Sequence, residues 1–548
     1  MKNIFTLANY LAENIEKENI ISELFDLFNV DCMKRCQLNP SELDRLIRKF
    51  NEGNDCDISV LADIITFIKG EQKSIENKEN ELIRTIQSHI DKTFMQDISI
   101  EKIADDLHMS YYYMCHVFKN KLKITINTYR TKKRLEQAMR LLVQSDNRIT
   151  DIASLCGYNN ISYFTETFTK NIGISPTAFR EQYAGVCFHQ FYDYDDMLQA
   201  TQMECLRFLS KDIKKIKQDI QSVHIRVPDN DFKFLHEAAI IEYHNVLYAS
   251  WYQCPEKELR GYTPICGKRS YDGGKTWSDL EIICEDKSEK ILYCPPVYGI
   301  CDDRLYMLVN QMVAPDHIHS LDLYVLNTET CKFELLWSRP VPFKLNTNVV
   351  TLPNGKLMLP GRIAELDGFP NTPAVLISDS GKIDTQWRLV KIADDGNLPC
   401  GTKLVHPEIS VICAEDILYM FCRNDKRKVP LVYISNDYGE TWSDVCAHDI
   451  PYVSTKVYCG TLSDGRHYII CNTDKPNRSK LSVYFTADQS IKLSKQLEIF
   501  DTDDYPWRGA MHYPAACEYE GYLYIIATKG YENAARGAEL FKINLKEI

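Results

Sequence analysis

The sequence predicts a multidomain chain with an all-α N-terminal part followed by an all-β C-terminal part. Apolar residues recur at helical spacing up to about residue 221, and short β-prone runs separated by Gly, Pro, Asn and Asp turns follow from about residue 222. One octapeptide pattern occurs twice in that second region. With 548 residues, the chain is also too long for one hydrophobic core, which favours several domains.

Composition is that of a globular protein, with 45% apolar and 26% charged residues. Lys+Arg 64 against Asp+Glu 76 gives a net charge of −12, which speaks against nucleic acid as a partner unless the charge is unevenly distributed. The N-terminus lacks the apolar stretch of a secretory signal, and no apolar run is long enough for a membrane span. We therefore expect a cytoplasmic protein without a membrane partner.

The 20 cysteines stand singly, without a CxxC pair. This spacing disfavours a metal cage and a disulfide scaffold, so we expect no metal and no other cofactor. Residues 1–80 are predicted to form a short helical domain, interrupted by the polar stretch 51–55. The domain could serve for dimerisation, which would give a homodimer, or act as a cap, and the sequence does not choose between them.

Between residues 81 and 185 the pattern remains helical but the charge changes sign. This segment has 14 Lys+Arg and 11 Asp+Glu, a net charge of +3, so the remainder carries −15. Eight basic residues and one acid fall between positions 119 and 140. Such a run indicates either a nucleic-acid surface or a solvated helix face, and charge alone leaves both open.

Two helix-turn-helix units are predicted within this basic segment. In the first, Ile103 and Ala104 lie on the inner face of one helix, residues 108–109 form a tight connection, and Ser110 caps a second helix over 111–120. The inward residues of that second helix are Tyr111, Met114, Val117 and Phe118. The arrangement recurs 49 residues later, with Ile152 and Ala153 preceding the turn 157–160.

Here the chain resembles the AraC family of transcription regulators over about 100 residues. The second unit matches the family pattern at Ile152, Ala153, Gly157, Tyr158, Ser162, Tyr163, Phe164, Phe168, Gly173, Ser175, Pro176 and Arg180. The connecting helix also fits, through Tyr129, Arg134, Ala138, Leu141 and Leu142. The resemblance implies binding of double-stranded DNA, with two recognition helices about 34 Å apart in successive major grooves, and makes RNA polymerase a candidate partner.

Outward positions on the two recognition helices are expected to read bases, and basic residues nearby are expected to contact phosphates. The base-reading candidates are Tyr112, Tyr113, His116, Ser162, Thr165 and Glu166; the phosphate contacts are Lys119, Lys121 and Lys170. One position departs from the family pattern, because Lys123 stands where a glycine is expected. A lysine at positive φ costs about 1 kcal/mol, so we expect either a different turn or a compensating phosphate contact.

Residues 186–221 are predicted to form a helical linker, because Met203, Leu206, Leu209, Ile213, Ile216 and Ile220 recur at helical intervals. From residue 222 to 548 the repeats predict a six-bladed propeller. The pattern S-x-D-x-G-x-T-W begins at Ser270 and again at Ser435, a separation of 165 residues or three periods of 55, and about 325 residues hold six such units.

This octapeptide resembles the Asp-box of sialidases and other BNR-repeat propellers. We expect Asp272, Trp277, Asp437 and Trp442 to be structural, with the aspartate holding a hairpin turn and the tryptophan packing between blades. By order and spacing, Glu408, Arg423, Arg478 and Tyr513 match a sialidase's glutamate, second and third arginines, and tyrosine nucleophile. The ordinary alternatives are surface ion pairs for the arginines and packing roles for the glutamate and tyrosine.

Two parts of the sialidase pattern are missing. His236 stands where the first arginine belongs, and the following strand offers no Asp acid/base. His236, His406 and His512 are further candidates to line the central pocket. We therefore expect an AraC-type regulator whose propeller senses a saccharide without cleaving it. The alternative is a bifunctional protein whose propeller is an active glycoside hydrolase, sialidase-like, or a related glycan-cleaving enzyme.

Overall fold

The structure is a computed structural model and describes residues 20, 45–50, 58–183, 192–315, 317–364, 372–393, 398, 403–425, 428–502 and 510–548. It confirms the predicted fold class, with helices up to residue 201 followed by six β-sheets. The chain forms two compact units, Met1–Ala138 with Asn147–Asn171, and Met139–Asp146 with Ile172–Ile548. Most of the predicted N-terminal domain, including the break at 51–55, lies outside the described residues.

The described helices follow one another without intervening strands. They are α1 (Ile58–Thr93), α2 (Ile100–Asp106), α3 (Tyr111–Leu122), α4 (Ile126–Gln144), α5 (Ile149–Leu155), α6 (Ile161–Ile172), α7 (Pro176–Tyr183) and α8 (Tyr194–Thr201), preceded by helical residues 45–50. The domain boundary predicted at residue 80 falls inside α1, because buried Ile83, Ile86 and Ile90 continue its apolar face. Among the described helices, none is long and apolar enough to cross a membrane.

The β-part consists of six sheets, antiparallel except for two outer strands, which we call blades I to VI in chain order. Blade I contains β4 (Phe234–Tyr243), β5 (Val246–Cys254), β6 (Ile265–Ser270) and β7 (Glu281–Cys284). Blade II contains β8 (Leu292–Cys301), β9 (Arg304–Ala314), β10 (His317–Asn327) and β11 (Lys332–Arg339). Blade III contains β12 (Phe343–Leu345), β13 (Val350–Thr351), β14 (Leu357–Ile363), β15 (Thr372–Ser378) and β16 (Arg388–Lys391).

Blade IV contains β17 (Ile409–Ala414), β18 (Ile417–Cys422), β19 (Leu431–Ser435) and β20 (Cys446–His448). Blade V contains β21 (Tyr458–Thr461), β22 (His467–Asn472), β23 (Lys480–Thr486) and β24 (Leu493–Asp501). Blade VI contains β25 (Met511–Tyr519), β26 (Tyr522–Gly530) and β27 (Arg536–Asn544). The first strands of neighbouring blades contact each other, except that β14 of blade III contacts β17 of blade IV, and β25 of blade VI contacts β4 of blade I. The blades are therefore arranged in a closed ring around an axis lined by their first strands.

The prediction of a helical linker over 186–221 is wrong beyond Thr201. The chain there forms β1 (Cys205–Leu206), β2 (Leu209–Ile216) and β3 (Gln221–Arg226). β1 and β2 add parallel outer strands to blades IV and V, and β3 pairs with β27 to complete blade VI. Open sheet edges offer unpaired backbone groups, and this pairing outweighs the helical spacing of the apolar residues.

Both octapeptides form the same hairpin turn. The Asp272 carboxylate accepts hydrogen bonds from the Thr276 amide (2.9 Å) and hydroxyl (2.6 Å), and Asp437 accepts the equivalent bonds from Thr441 (2.9 and 2.5 Å). These hydroxyl and amide donors lower the pKa of Asp272 to about 2. Trp277 packs against the core shared by blades V, VI and I. The turns thus hold the ends of outer strands, away from the inner strands.

Candidate functional site

The first helix-turn-helix unit is built from α2 and α3. Ser99 caps α2 by accepting a hydrogen bond from the Lys102 amide at 3.2 Å, whereas the Ser110 side chain makes no cap bond to α3. The turn between the helices closes with a hydrogen bond from the Met109 amide to the Ala104 carbonyl at 2.9 Å. Tyr111, predicted to be buried, is 37% exposed because it opens α3.

The second unit repeats this backbone geometry. The Tyr158 amide donates to the Ala153 carbonyl at 2.9 Å, and the preceding turn residue has positive φ in both units, 53° at His108 and 80° at Gly157. A Cβ on Gly157 would lie 2.5 Å from the Met95 carbonyl oxygen, so a side chain is excluded there. The duplication predicted from the sequence is therefore present in the backbone.

The base-reading candidates lie on the outer faces of α3 and α6. The exposed ones are Tyr112, Tyr113, His116, Ser162 and Glu166, whereas Thr165 is half-buried. On α6, Thr165, Glu166 and Lys170 line one open concave surface together with Ser162. On α3, Asn120 donates a hydrogen bond to His116 Nε2 at 2.8 Å, so a base that contacts this ring must replace that bond.

The basic run divides into two groups with different surroundings. Arg130 donates to the Ile98 carbonyl at 2.6 Å, and Arg134 donates to the Phe94 carbonyl at 2.6 Å, so both hold the segment between α1 and α2. Lys119 and Lys170, in contrast, are exposed on the recognition helices, and Lys121 is half-buried. The solvated-face interpretation of the basic run therefore does not describe Arg130 and Arg134, which bind backbone carbonyl groups.

The candidate residues of the propeller lie at one end of the ring. His236, His512 and Tyr513 lie in the early part of inner strands β4 and β25, and Glu408 immediately precedes inner strand β17. Arg423 immediately follows β18, which is antiparallel to β17, and thus returns to the same end. We call this group, with His406 and Arg478, the propeller site.

Arg423 is the centre of the propeller site. Its Nη1 donates to Glu408 Oε2 and to the Tyr513 hydroxyl oxygen, both at 2.6 Å, and its Nε donates to Asp425 Oδ1 at 2.6 Å. Asp425 Oδ2 also lies 3.4 Å from His406 Nδ1. The seven residues predicted from the sequence include His406, Glu408, Arg423 and Tyr513, and this network brings these four together.

The remaining three candidates lie beside Tyr513. The His236 ring lies 4.3 Å from the Tyr513 ring between centroids and 5.9 Å from the His512 ring. Arg478 Nη1 donates to His512 Nδ1 at 3.1 Å, and its Nη2 donates to the Ser454 carbonyl at 3.0 Å. All seven candidates therefore belong to one connected group.

Burial and neighbouring charges set the protonation of the site. Burial raises the pKa of Tyr513 well above its ordinary value, and the nearby Glu408 raises it further, so the phenol is protonated at neutral pH. Burial would also raise the pKa of Glu408, but the charges of Arg423 and Lys456 outweigh it and hold that pKa below its ordinary value. Burial followed by nearby arginines lowers the pKa values of His236 and His512, so both rings are neutral.

The structure adds charged residues that the sequence interpretation missed. Glu237 and Lys456, both buried, form an ion pair at 3.3 Å, and Lys456 Nζ lies 5.2 Å from the Tyr513 ring centroid. Glu258 accepts a hydrogen bond from the Tyr252 hydroxyl at 3.3 Å, and desolvation raises the pKa of its carboxyl. A signal was available for Lys456, since it precedes inner strand β21 much as Glu408 precedes β17.

Several residues in and beside the propeller site have left-handed backbone conformations. Glu237, His406, Arg478 and Tyr513 all have positive φ, between 48° and 64°. The register of β4 shifts between His236 and Ala239, and that of β25 shifts between His512 and Ala515. Bulges of this kind redirect side chains, and non-glycine residues in the left-handed region often mark functional sites.

Comparison with known proteins identifies both parts of the chain. The family model described as a helix-turn-helix domain matches residues 103–182, and the one described as a BNR repeat-like domain matches residues 247–525. The bifunctional transcriptional activator/DNA repair enzyme AdaA of Bacillus subtilis is 35% identical over 103 residues, which are 19% of this chain and 49% of AdaA. The uncharacterized HTH-type transcriptional regulator YijO of Escherichia coli is 31% identical over 114 residues, 21% of this chain and 40% of YijO.

This chain thus spans less than half the length of each of these two relatives. Among solved structures, the sialidase of Trypanosoma rangeli in complex with sialic acid is 15% identical with a TM-score of 0.47, over 61% of this chain and 60% of the sialidase. The BNR repeat-like match covers just over half of the chain. The chain therefore belongs to the BNR repeat-like family and carries an AraC-type helix-turn-helix domain in front of its propeller.

Proposed function

We propose that the protein is a sequence-specific DNA-binding transcription regulator of the AraC type whose propeller senses a saccharide effector. The observation that carries this proposal is the combination, in one chain, of a duplicated helix-turn-helix with exposed recognition helices and a connected charged site in a propeller. As a regulator it acts on chromosomal DNA in the cytoplasm. Its proposed partners are double-stranded DNA, RNA polymerase and a second copy of the chain.

On DNA, the exposed faces of α3 and α6 read bases while lysines contact phosphates. Glu166 accepts from cytosine amino groups, and the tyrosine hydroxyls donate to or accept from base edges. Lys119 and Lys170 add affinity that depends on salt but not on sequence.

The charges of the propeller site favour a saccharide with an acidic group. The guanidinium groups of Arg423 and Arg478 lie within this site, and a guanidinium binds a carboxylate through two parallel hydrogen bonds. Neutral His236 and His512 and the protonated phenol of Tyr513 are suited to the hydroxyl groups of a sugar.

The state of Tyr513 supports binding without turnover. A tyrosine nucleophile requires a carboxylate that takes its proton. Within the described residues, the hydroxyl of Tyr513 is bonded to Arg423 and no carboxylate accepts a hydrogen bond from it. Glu408 Oε2 accepts a hydrogen bond from Arg423 at 2.6 Å instead, and the charges of Arg423 and Lys456 hold the pKa of Glu408 below its ordinary value, which makes it a weak base for the phenol.

A thermal-shift screen tests the effector proposal. Sialic acid and glucuronic acid are compared with galactose on the full chain, and we expect an acidic sugar to raise the melting temperature without being consumed. Arg478→Met should abolish the shift, whereas the matched exposed variant Arg304→Met on β9 should keep it. A shift given equally by galactose, or one that survives Arg478→Met, would contradict the proposal.

A second candidate function is cleavage of a glycan by the propeller. The observation in its favour is Glu258, whose carboxylate accepts a hydrogen bond from the Tyr252 hydroxyl at 3.3 Å and whose pKa is raised by desolvation, the direction in which a general acid is tuned. Turnover of sialosides or other glycosides that is abolished by Glu258→Gln and by Tyr513→Phe would establish it. No turnover together with stable binding of an acidic sugar would support the sensor.

A further inference from the structure

Helix α8 buries polar side chains against blade IV. Asp196 and Gln199 are each 2% exposed. Gln199 Oε1 accepts a hydrogen bond from Asn424 Nδ2 at 3.4 Å, and Asp196 Oδ1 accepts one from the Lys428 amide at 3.1 Å. Burying polar groups costs free energy unless they are paired, so these hydrogen bonds fix where α8 packs on blade IV.

Asn424, the partner of α8, lies between two residues of the propeller site network. Arg423 contacts Glu408 and Tyr513, and Asp425 contacts Arg423. Asn424 donates its hydrogen bond towards α8, whereas its neighbours Arg423 and Asp425 bond to each other within the site. A ligand that takes a hydrogen bond of Arg423 therefore acts on the residue next to Asn424.

The other end of α8 contacts the last helix of the AraC-type domain. The Tyr183 hydroxyl, at the end of α7, donates to the Thr201 carbonyl at 2.7 Å. Arg180 Nε of α7 donates to the Leu142 carbonyl at 3.1 Å, and Leu142 belongs to α4, the helix that connects the two helix-turn-helix units. These contacts all lie within the unit formed by Met139–Asp146 and Ile172–Ile548.

We propose that α8 is the coupling element through which the occupancy of the propeller site changes the DNA affinity of the AraC-type domain. This inference rests on the proposed function and names the regulation of the same site. Asn424 and Gln199 are positioning residues in it. Ligand contacts with Arg423 change the free energy of the Asn424–Gln199 contact and so shift the position or stability of α8. The hydrogen bonds of α7 to α8 and to α4 then transmit this change to α4.

A first experiment needs no ligand. Hydrogen exchange of the α8 amides is compared between the wild type and Tyr513→Phe, which removes the phenol oxygen that Arg423 contacts. We expect the α8 amides to change their exchange rates by about fivefold or more, in line with ordinary coupling free energies. The matched variant Tyr519→Phe, in the same strand but outside the propeller site, should leave α8 unchanged. Unchanged exchange in Tyr513→Phe would overturn the inference.

A second experiment measures regulation directly. DNA affinity of the full chain is determined with and without saturating sialic acid, or glucuronic acid if that is the sugar that binds. Gln199→Ala should keep the affinity for DNA alone and for the sugar within about twofold, yet lose the change in DNA affinity that the sugar produces. Gln202→Ala, an exposed glutamine three residues on, should behave like the wild type.

The outcomes separate the two proposals. If neither sugar binds but Tyr513→Phe alters exchange in α8, the effector assignment fails and the coupling element stands. If the sugar changes DNA affinity equally in the wild type and Gln199→Ala, the sensor stands and the coupling through α8 is overturned. Equal loss of regulation in Gln199→Ala and Gln202→Ala would also overturn it, since α8 would then act only as a folded tether.

Discussion

Arg423 carries most of the electrostatic compensation in the propeller site. Its side chain is 12% exposed beside Glu408 at 6%, and removal of one partner from such a largely buried ion pair leaves an uncompensated charge. We expect Arg423→Met to lower the free energy of unfolding by about 3–5 kcal/mol, measured by urea denaturation. The double variant Arg423→Met with Glu408→Gln should recover part of the loss. A loss below about 1 kcal/mol would indicate an exposed pair instead.

His448 is a buried histidine whose titration opposes folding in acid. Its ring contacts Tyr452 and Phe421, burial lowers its pKa from 6.5 to about 3, and within the described residues its Nε2 has no hydrogen-bond partner. Between these pH values the unfolded chain binds one proton more at this position. The stability contributed by the neutral ring is therefore present above pH 6.5 and is lost as pH falls.

The expected slope is about 1.4 kcal/mol per pH unit from this residue. Denaturation at several pH values between 7 and 4 should show that His448→Phe lacks this share of the acid sensitivity. His319→Phe, at an exposed position, should keep the slope of the wild type. Parallel pH profiles for the wild type and His448→Phe would contradict the assignment.

Individual site residues differ in how well the sequence predicts them. Glu408 and Arg423 could be found because they flank two recognisable β-prone runs whose antiparallel pairing returns them to one end. Glu237 was missed because the period-2 pattern of a strand assigns it to the face opposite His236. The register shift after His236 breaks that alternation, and a bulge leaves no clear mark in a single sequence.

At the scale of elements, local periodicity predicted α2 to α6 well and failed for β1 and β2. The helices of a helix-turn-helix unit pack against partners that are close in the sequence. For example, the apolar face of α3 packs against α1 and α2. β2, in contrast, pairs with β24, which lies more than 270 residues later in the chain. Its charged sequence LSKDIKKI is also compatible with a helix, so long-range pairing decides its conformation.

The end of the first recognition helix shows an element-level cost that the sequence did predict. Lys123 follows α3 with φ 60°, ψ 12°, whereas Gly173 follows α6 with φ 93°. Lys123→Gly should stabilise the domain by about 1 kcal/mol, because glycine adopts this conformation without steric cost. Chemical denaturation measures the gain, and Gly173→Lys should lose a similar amount. Destabilisation by Lys123→Gly would show that the lysine makes compensating contacts.

For the whole molecule, the net charge of −12 is the sum of regions whose charges have opposite signs. The segment 81–185 carries +3, and its exposed lysines stand on the recognition helices. The acidic remainder includes the propeller, where aspartates such as Asp272 and Asp437 hold turns. The proposed DNA binding uses a local basic surface, which the overall negative charge does not exclude.

This distribution makes the salt dependence of DNA binding a test of the whole chain. Lys119→Ala should weaken all DNA sequences alike and reduce the slope of log K against log salt by about 1, because one phosphate contact is lost. Lys287→Ala, an exposed lysine of the propeller, should leave affinity and slope unchanged. The measurement is a binding titration on specific and unrelated duplexes between low and moderate salt. If Lys119→Ala altered only the preferred sequence, Lys119 would read bases, and the division between phosphate-binding lysines and base-reading residues would have to be reversed at that position.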